Sequence, residues 1–232
     1  ARTHGRQTLK RARELGHPFS LLFAHCWVGV FHQFCREPEA VLAQAEQALV
    51  LAAREEIPFY LGLATFLKGW ALTEQGRFDA GIPLMEEGFA GWEAVGARQA
   101  RTWYLGLIAE ARARAGRVAP GLAALERAFD LMAATDERVQ AAELHRIHGE
   151  LLALDGAPAT AVSAALNAAL LTAREQRACW FELRALSSLA RWSRRHSGAV
   201  SAHHELQDLY SRLRSRLHTD NSDLREARAL MG

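Results

Sequence analysis

The densest group of residues able to hold a metal or carry a proton is His145 and His148, with Glu143 and Glu150 beside them. On a helix, residues three and four apart share a face. Two histidines so placed could supply part of a zinc site, which needs three or four converging ligands. No H-E-x-x-H arrangement accompanies them, and the second cluster, His203-His204-Glu205, supplies no third ligand at a telling spacing. The thiols Cys26, Cys35 and Cys179 and the many serines could act as nucleophiles only beside an activating base, and no motif pairs them with one. Cys26 and Cys35 are nine residues apart, roughly 13 Å along a helix and beyond disulfide reach. A low, odd cysteine count fits a reducing, cytoplasmic setting. No G-x-x-x-x-G-K-[ST] loop is present to cradle a phosphate. These residues assign no catalytic group, no metal and no cofactor, so the expectation is a protein that binds rather than one that reacts.

The remaining concentrated charge is arginine. Arg184, Arg191, Arg194, Arg195, Arg212, Arg214 and Arg216 could lie as a stripe along phosphates. Glu182, Glu205 and Asp208 interleave with them, lysine is confined to Lys10 and Lys68, and formal net charge is only +2. That pattern reads as a solvated, ion-paired helix face, so nucleic acid is disfavoured as a partner. No apolar run reaches the ~18–20 residues of a membrane span, and no basic-then-apolar leader opens the chain. A protein or peptide partner is the class that remains.

What must position such residues is a repeat. The stretches GWALTEQGRFDAG (69–81), AEARARAGRVAPG (109–121) and GELLALDGAPATA (149–161) return a polar turn at Gly76, Gly116 and Gly156. A second series of breaks falls between them, at His17-Pro18, at Ile57-Pro58 and near Ala97, Glu137 and Ala178. Ala, Leu, Arg and Glu dominate the intervening residues, with apolar spacing of three and four, so every segment reads as helix. A fixed period in this range marks stacked helical hairpins. The expected fold is therefore all-α: a tetratricopeptide-like solenoid with a 40-residue period, forming one domain over 1–232. Residues 1–16 read as a truncated preceding helix, 19–217 as five hairpins and 222–231 as a terminal helix. Small residues recur where paired helices must touch: Gly29, Gly69, Ala109 and Gly149; Val41, Gly81, Gly121 and Ala161; Ala48, Gly88, Ala128 and Ala168. HEAT-type repeats share the period but give no reason for that pattern.

In this register the inward side of each first helix carries Phe23, Cys26 and Phe34, then Phe66, Trp70 and Glu74, then Trp103, Glu110 and Arg114, then Glu143, Arg146 and Glu150. These twelve residues are the expected peptide groove, aromatic in its first half and charged in its second. One alternative is a small-molecule pocket walled by Phe34, Phe66, Trp70 and Trp103. Another is a self-associating scaffold, because a stack that begins mid-unit should expose Phe19, Leu22 and Phe23 and favour a homodimer.

The runs RARELGHPFSLLFAH, FHQFCREPEAV, LKGWALTEQGR, AAELHRIHGELL, FELRALSSLARW and SDLREARAL resemble the C-terminal tetratricopeptide region of large bacterial STAND-type signalling ATPases. The likeness spans about residues 12–232. It implies a sensor or scaffold arm, whose partner is a peptide, another protein or the ATPase domain upstream in the same polypeptide. Two places depart from that pattern: His196 stands for the usual turn glycine, and SRLRSRLHT at 211–219 is unusually rich in arginine.

Overall fold

A computed structural model describes residues 2–196, 200–216 and 221–231. Among these there are twelve α-helices and no strand: α1 (Arg2–Leu15), α2 (Pro18–Phe34), α3 (Pro38–Arg54), α4 (Pro58–Glu74), α5 (Phe78–Ala94), α6 (Arg101–Arg114), α7 (Val118–Thr135), α8 (Ala141–Leu154), α9 (Ala159–Glu175), α10 (Cys179–Arg195), α11 (Val200–Arg216) and α12 (Ser222–Met231). The all-helical expectation holds. The stretch SRLRSRLHT falls partly outside the described residues.

One backbone device ends most of these helices. Gly16, Arg36, Glu56, Gly76, Gly96, Gly116, Asp136 and Gly156 all have positive φ and are spaced twenty residues apart. At these ends the chain turns through a left-handed residue, and the next N–H reaches back to the last turn. Arg77 N–H meets Leu72 O at 2.9 Å, Arg117 N–H meets Arg112 O at 2.8 Å, and Ala157 N–H meets Leu152 O at 3.0 Å. The following helix starts within three residues, except after Gly96 and Asp136, where α6 and α8 begin at Arg101 and Ala141. Pro18, Pro38 and Pro58 open α2, α3 and α4, where a missing N–H costs nothing.

The chain divides into two compact units, Ala1–Ala111 and Arg112–Gly232. In the first, α4 and α5 touch backbone to backbone. A Cβ on Gly69 would lie 2.6 Å from Met85 N and 2.7 Å from Gly81 O, and one on Gly88 would lie 2.5 Å from Phe66 N. Around this hairpin the core is aromatic. Tyr104 sits at the centre, with Phe66 at 4.4 Å, Trp103 at 5.0 Å and Phe89 and Trp92 each at 5.3 Å between ring centroids. Helix α2 buries Leu22, Cys26, Gly29 and Gln33 on one stripe, and α1 lays Leu9 and Ala12 against Ala24 and Val28. Leu22 is thus fully covered, unlike its neighbours Phe19 and Phe23; it belongs to the buried stripe and they do not.

The second unit has an aliphatic core. Val162, Leu166 and Leu170 of α9 pack with Leu183, Leu186 and Leu189 of α10, Leu206, Leu209 and Leu213 of α11 and Leu224 of α12. Its α8–α9 contact is close but softer than that of α4–α5: a Cβ on Gly149 would meet the Leu166 side chain at 2.6 Å.

Candidate functional site

In the first unit the twelve expected groove residues part company. Cys26, Phe66, Trp70 and Trp103 are buried in the core, whereas Phe23 and Phe34 are surface residues. The cause is packing: α6 brings Trp103 and Tyr104 onto the face of α4 that carries Phe66. Phe34 stacks on Trp103 at 6.2 Å, and Trp103 Nε1–H donates to Gln33 Oε1 at 3.3 Å. Of the rings expected to wall a small-molecule pocket, Phe34 and Phe66 both pack on Trp103, and Trp70 is buried. Glu74 is half-buried at the end of α4. Glu110 receives a 3.0 Å hydrogen bond from Arg36 Nη2, so the Arg36 turn is fastened to α6.

A different aromatic edge is left on the surface. Phe19, Phe23, Trp27 and Phe34 of α2 are between 39% and 45% exposed. The first three are spaced i, i+4, i+8 and form a ridge. Phe23 and Trp27 are 6.0 Å apart, and Tyr60 of α4 backs Phe19 at 5.7 Å and Phe23 at 6.3 Å. Scattered exposed apolar residues are ordinary; a contiguous aromatic row is the informative case. The groove register takes Phe23, Cys26 and Phe34 from α2 and passes over Trp27. The four-residue spacing of Phe19, Phe23 and Trp27 was in the sequence to be read.

In the second unit the charged groove residues do come together, but they bind one another. Arg146, its side chain only 4% exposed, donates from Nε and Nη2 to both oxygens of Glu143, each at 3.1 Å, and from Nη1 to Glu150 Oε2 at 2.9 Å. From α10, Arg184 donates to Asp223 Oδ2 at 2.9 and 3.1 Å and to Glu143 Oε2 at 3.4 Å. Ser188 Oγ–H and Arg191 Nη1–H share Glu150 Oε1, at 2.7 and 3.1 Å, and Arg191 also pairs with Glu226. The result is an ionic seam through α8, α10 and α12. From α10, Arg184 reaches Glu143 while Ser188 and Arg191 reach Glu150, a pairing between helices that single-helix reading overlooks. Arg174 is likewise engaged, by Glu182 and Glu205. Arg114 lies exposed at the end of α6.

The histidines serve packing. His145 and His148 flank the Phe129 ring at 5.2 and 5.6 Å, half-buried instead of solvated. Burial pushes both below the usual histidine range, and for His145 the neighbouring His148 adds to the effect. Among the described residues no group of three or more His, Cys, Asp or Glu converges as metal ligands would. Burial pushes the Cys26 thiol up to about 12, so it is not a thiolate near neutrality. No helix among the described residues is long and apolar enough to cross a membrane.

A cleft of about 490 Å³ opens in the second unit between α8, α9 and α10. Ala153, Ala157, Val162 and Leu166 line its floor, and Arg191, Arg195 and His196 stand at its edge. Comparison with known proteins adds nothing to this geometry: no protein-family model and no curated protein matches the chain.

Proposed function

We propose that the chain is a non-catalytic, tetratricopeptide-like helical-repeat arm that holds an amphipathic helix of a partner protein against the aromatic ridge of α2. The observation that carries this reading is the exposed row Phe19, Phe23 and Trp27, set beside a fully packed aromatic core. A ridge of side chains four residues apart is the surface that a second helix meshes with when i±4 rows interdigitate. Large rings at such a ridge are the usual anchors of helix-in-groove recognition. The twenty-residue return of left-handed turns and the glycine-to-glycine hairpin contact support the tetratricopeptide-like register and its 40-residue period. The likeness to signalling ATPases would make the partner either a separate protein or the ATPase domain of the same polypeptide, acting in the cytoplasm.

The test is fluorescence anisotropy with a labelled 18-residue amphipathic helix built from Leu, Glu and Lys. Binding should saturate and weaken at least about tenfold in Trp27→Glu, since central aromatic anchors carry more than 1.4 kcal/mol. Equal binding by Trp27→Glu would remove the ridge as the site. Light scattering on the same samples separates partner binding from homodimerisation through this face.

A further inference from the structure

We propose that the cleft between α8, α9 and α10 is a binding site for a small amphipathic anion, an aliphatic or single-ring body carrying one carboxylate. The site lies in the second unit and is independent of the α2 ridge. Its volume, about 490 Å³, falls within the range of small-molecule sites, ~300–1,000 Å³. The floor is small and aliphatic: Ala153 from α8, Ala157 from the turn, and Val162 and Leu166 from α9. These four side chains offer no hydrogen bond, so they suit an apolar body.

The edge has the opposite character. Arg191 and Arg195 are one helical turn apart on α10, and both line the cleft. Arg191 is already held by Glu150 and Glu226. Nothing among the described residues pairs with Arg195. Glu150, the one carboxylate lining the cleft, already receives Arg146, Arg191 and Ser188. The charge left to meet a ligand is therefore positive, and it is a planar guanidinium suited to a carboxylate. Beside it the wall is held by side-chain contacts. The His196 ring stacks on Trp192 at 3.6 Å, and its Nδ1–H donates to Trp192 O at 3.0 Å. Trp192 is fixed in turn by its Nε1–H, which donates to Ser163 Oγ at 3.2 Å. An apolar floor ending at a free guanidinium, with preset walls, selects for a ligand with one anionic end.

The probe is 8-anilinonaphthalene-1-sulfonate, whose emission rises in an apolar site. Decanoate should displace it, and decan-1-ol, which has the chain without the charge, should do so at least about tenfold less well. Arg195→Glu should lose decanoate binding by a similar factor, and Ala157→Trp should abolish it by filling the floor. Phe23→Glu should leave it unchanged. Arg195 is exposed, so its variant keeps the idea testable if Ala157→Trp fails to fold; circular dichroism melts check both. Equal displacement by the alcohol, or a signal lost in Phe23→Glu and kept in Arg195→Glu, would overturn the assignment. Displacement by a short acidic peptide but not by decanoate would also overturn it, in favour of a peptide site.

Discussion

Arg146, itself buried, holds one nearly buried and one partly exposed carboxylate, so its loss should be felt throughout the seam. Arg146→Met leaves Glu143 and Glu150 charged and half-abandoned. The expected loss is about 3–5 kcal/mol, read from urea denaturation midpoints. Restoring apolar partners together, as in a variant that also carries Glu143→Leu, should recover part of it. His145 and His148 make the second residue-scale prediction. Their folded pKa values lie below the unfolded value of about 6.5. Between those values the unfolded chain binds more protons, so stability is complete above about pH 6.5 and falls as pH drops toward the lowered folded values. Buried His25, also shifted down, chiefly by burial, adds to the same trend. Melting temperature should fall between pH 7.5 and 5.5, and fall less in a variant carrying His145→Gln and His148→Gln. An equal fall would place the titrating groups elsewhere.

At the scale of the helices, the α4–α5 hairpin and the turns give opposite predictions for glycine. Gly69→Ala puts a Cβ against backbone that cannot yield, and should cost about 1–3 kcal/mol. Gly149→Ala meets chiefly the Leu166 side chain, with the nearest backbone atom farther away at 3.3 Å, and should cost less. Glu56 is the reverse case, an exposed residue at φ +53°. Glu56→Gly relieves the left-handed strain of about 1–2 kcal/mol at a smaller entropic cost, so it should raise the melting temperature. A fall would mean that the side chain makes a contact worth more than the strain. These same residues show what could be read in advance. Gly69, Gly81 and Gly88 announced the hairpin contact because only a missing Cβ permits it, and Gly76, Gly116 and Gly156 announced the turns. The burial of Phe66 and Trp70 was not legible, because it depends on which neighbouring helix covers their face. Arg184 and Arg191 each lie 41 residues from the α8 carboxylate they bind, and Asp223 lies 39 from Arg184, so each looks in isolation like solvated charge.

For the molecule as a whole, the two units rest on different physics. The first is closed by rings and bare backbone, the second by leucines and a partly buried ionic seam. Amide exchange should therefore be slowest in α4 of the first unit, where nearly every residue from Tyr60 to Thr73 is buried. The second unit should show the greater response to Arg146→Met, with exchange quickening along α8, α10 and α12. Uniform quickening over both units would mean that they unfold as one. The functional surfaces divide in the same way: an aromatic ridge for a helix in one unit, and a charged-edged cleft for a small anion in the other.

The bare contact between α4 and α5 also has a meaning for the gene. Any single-base missense change in the codon for Gly69, Gly81 or Gly88 adds a Cβ that meets backbone. Drift at those codons is therefore arrested. The codons for Phe19, Phe23 and Trp27 encode side chains that face outward from a stripe already closed by others. They can change with less disturbance to the framework, since the ring contacts that tie these side chains to α4, among the described residues, are those with Tyr60. Scaffold and specificity are written in separate sets of codons, so a lineage could exchange one partner for another while the framework stays as it is.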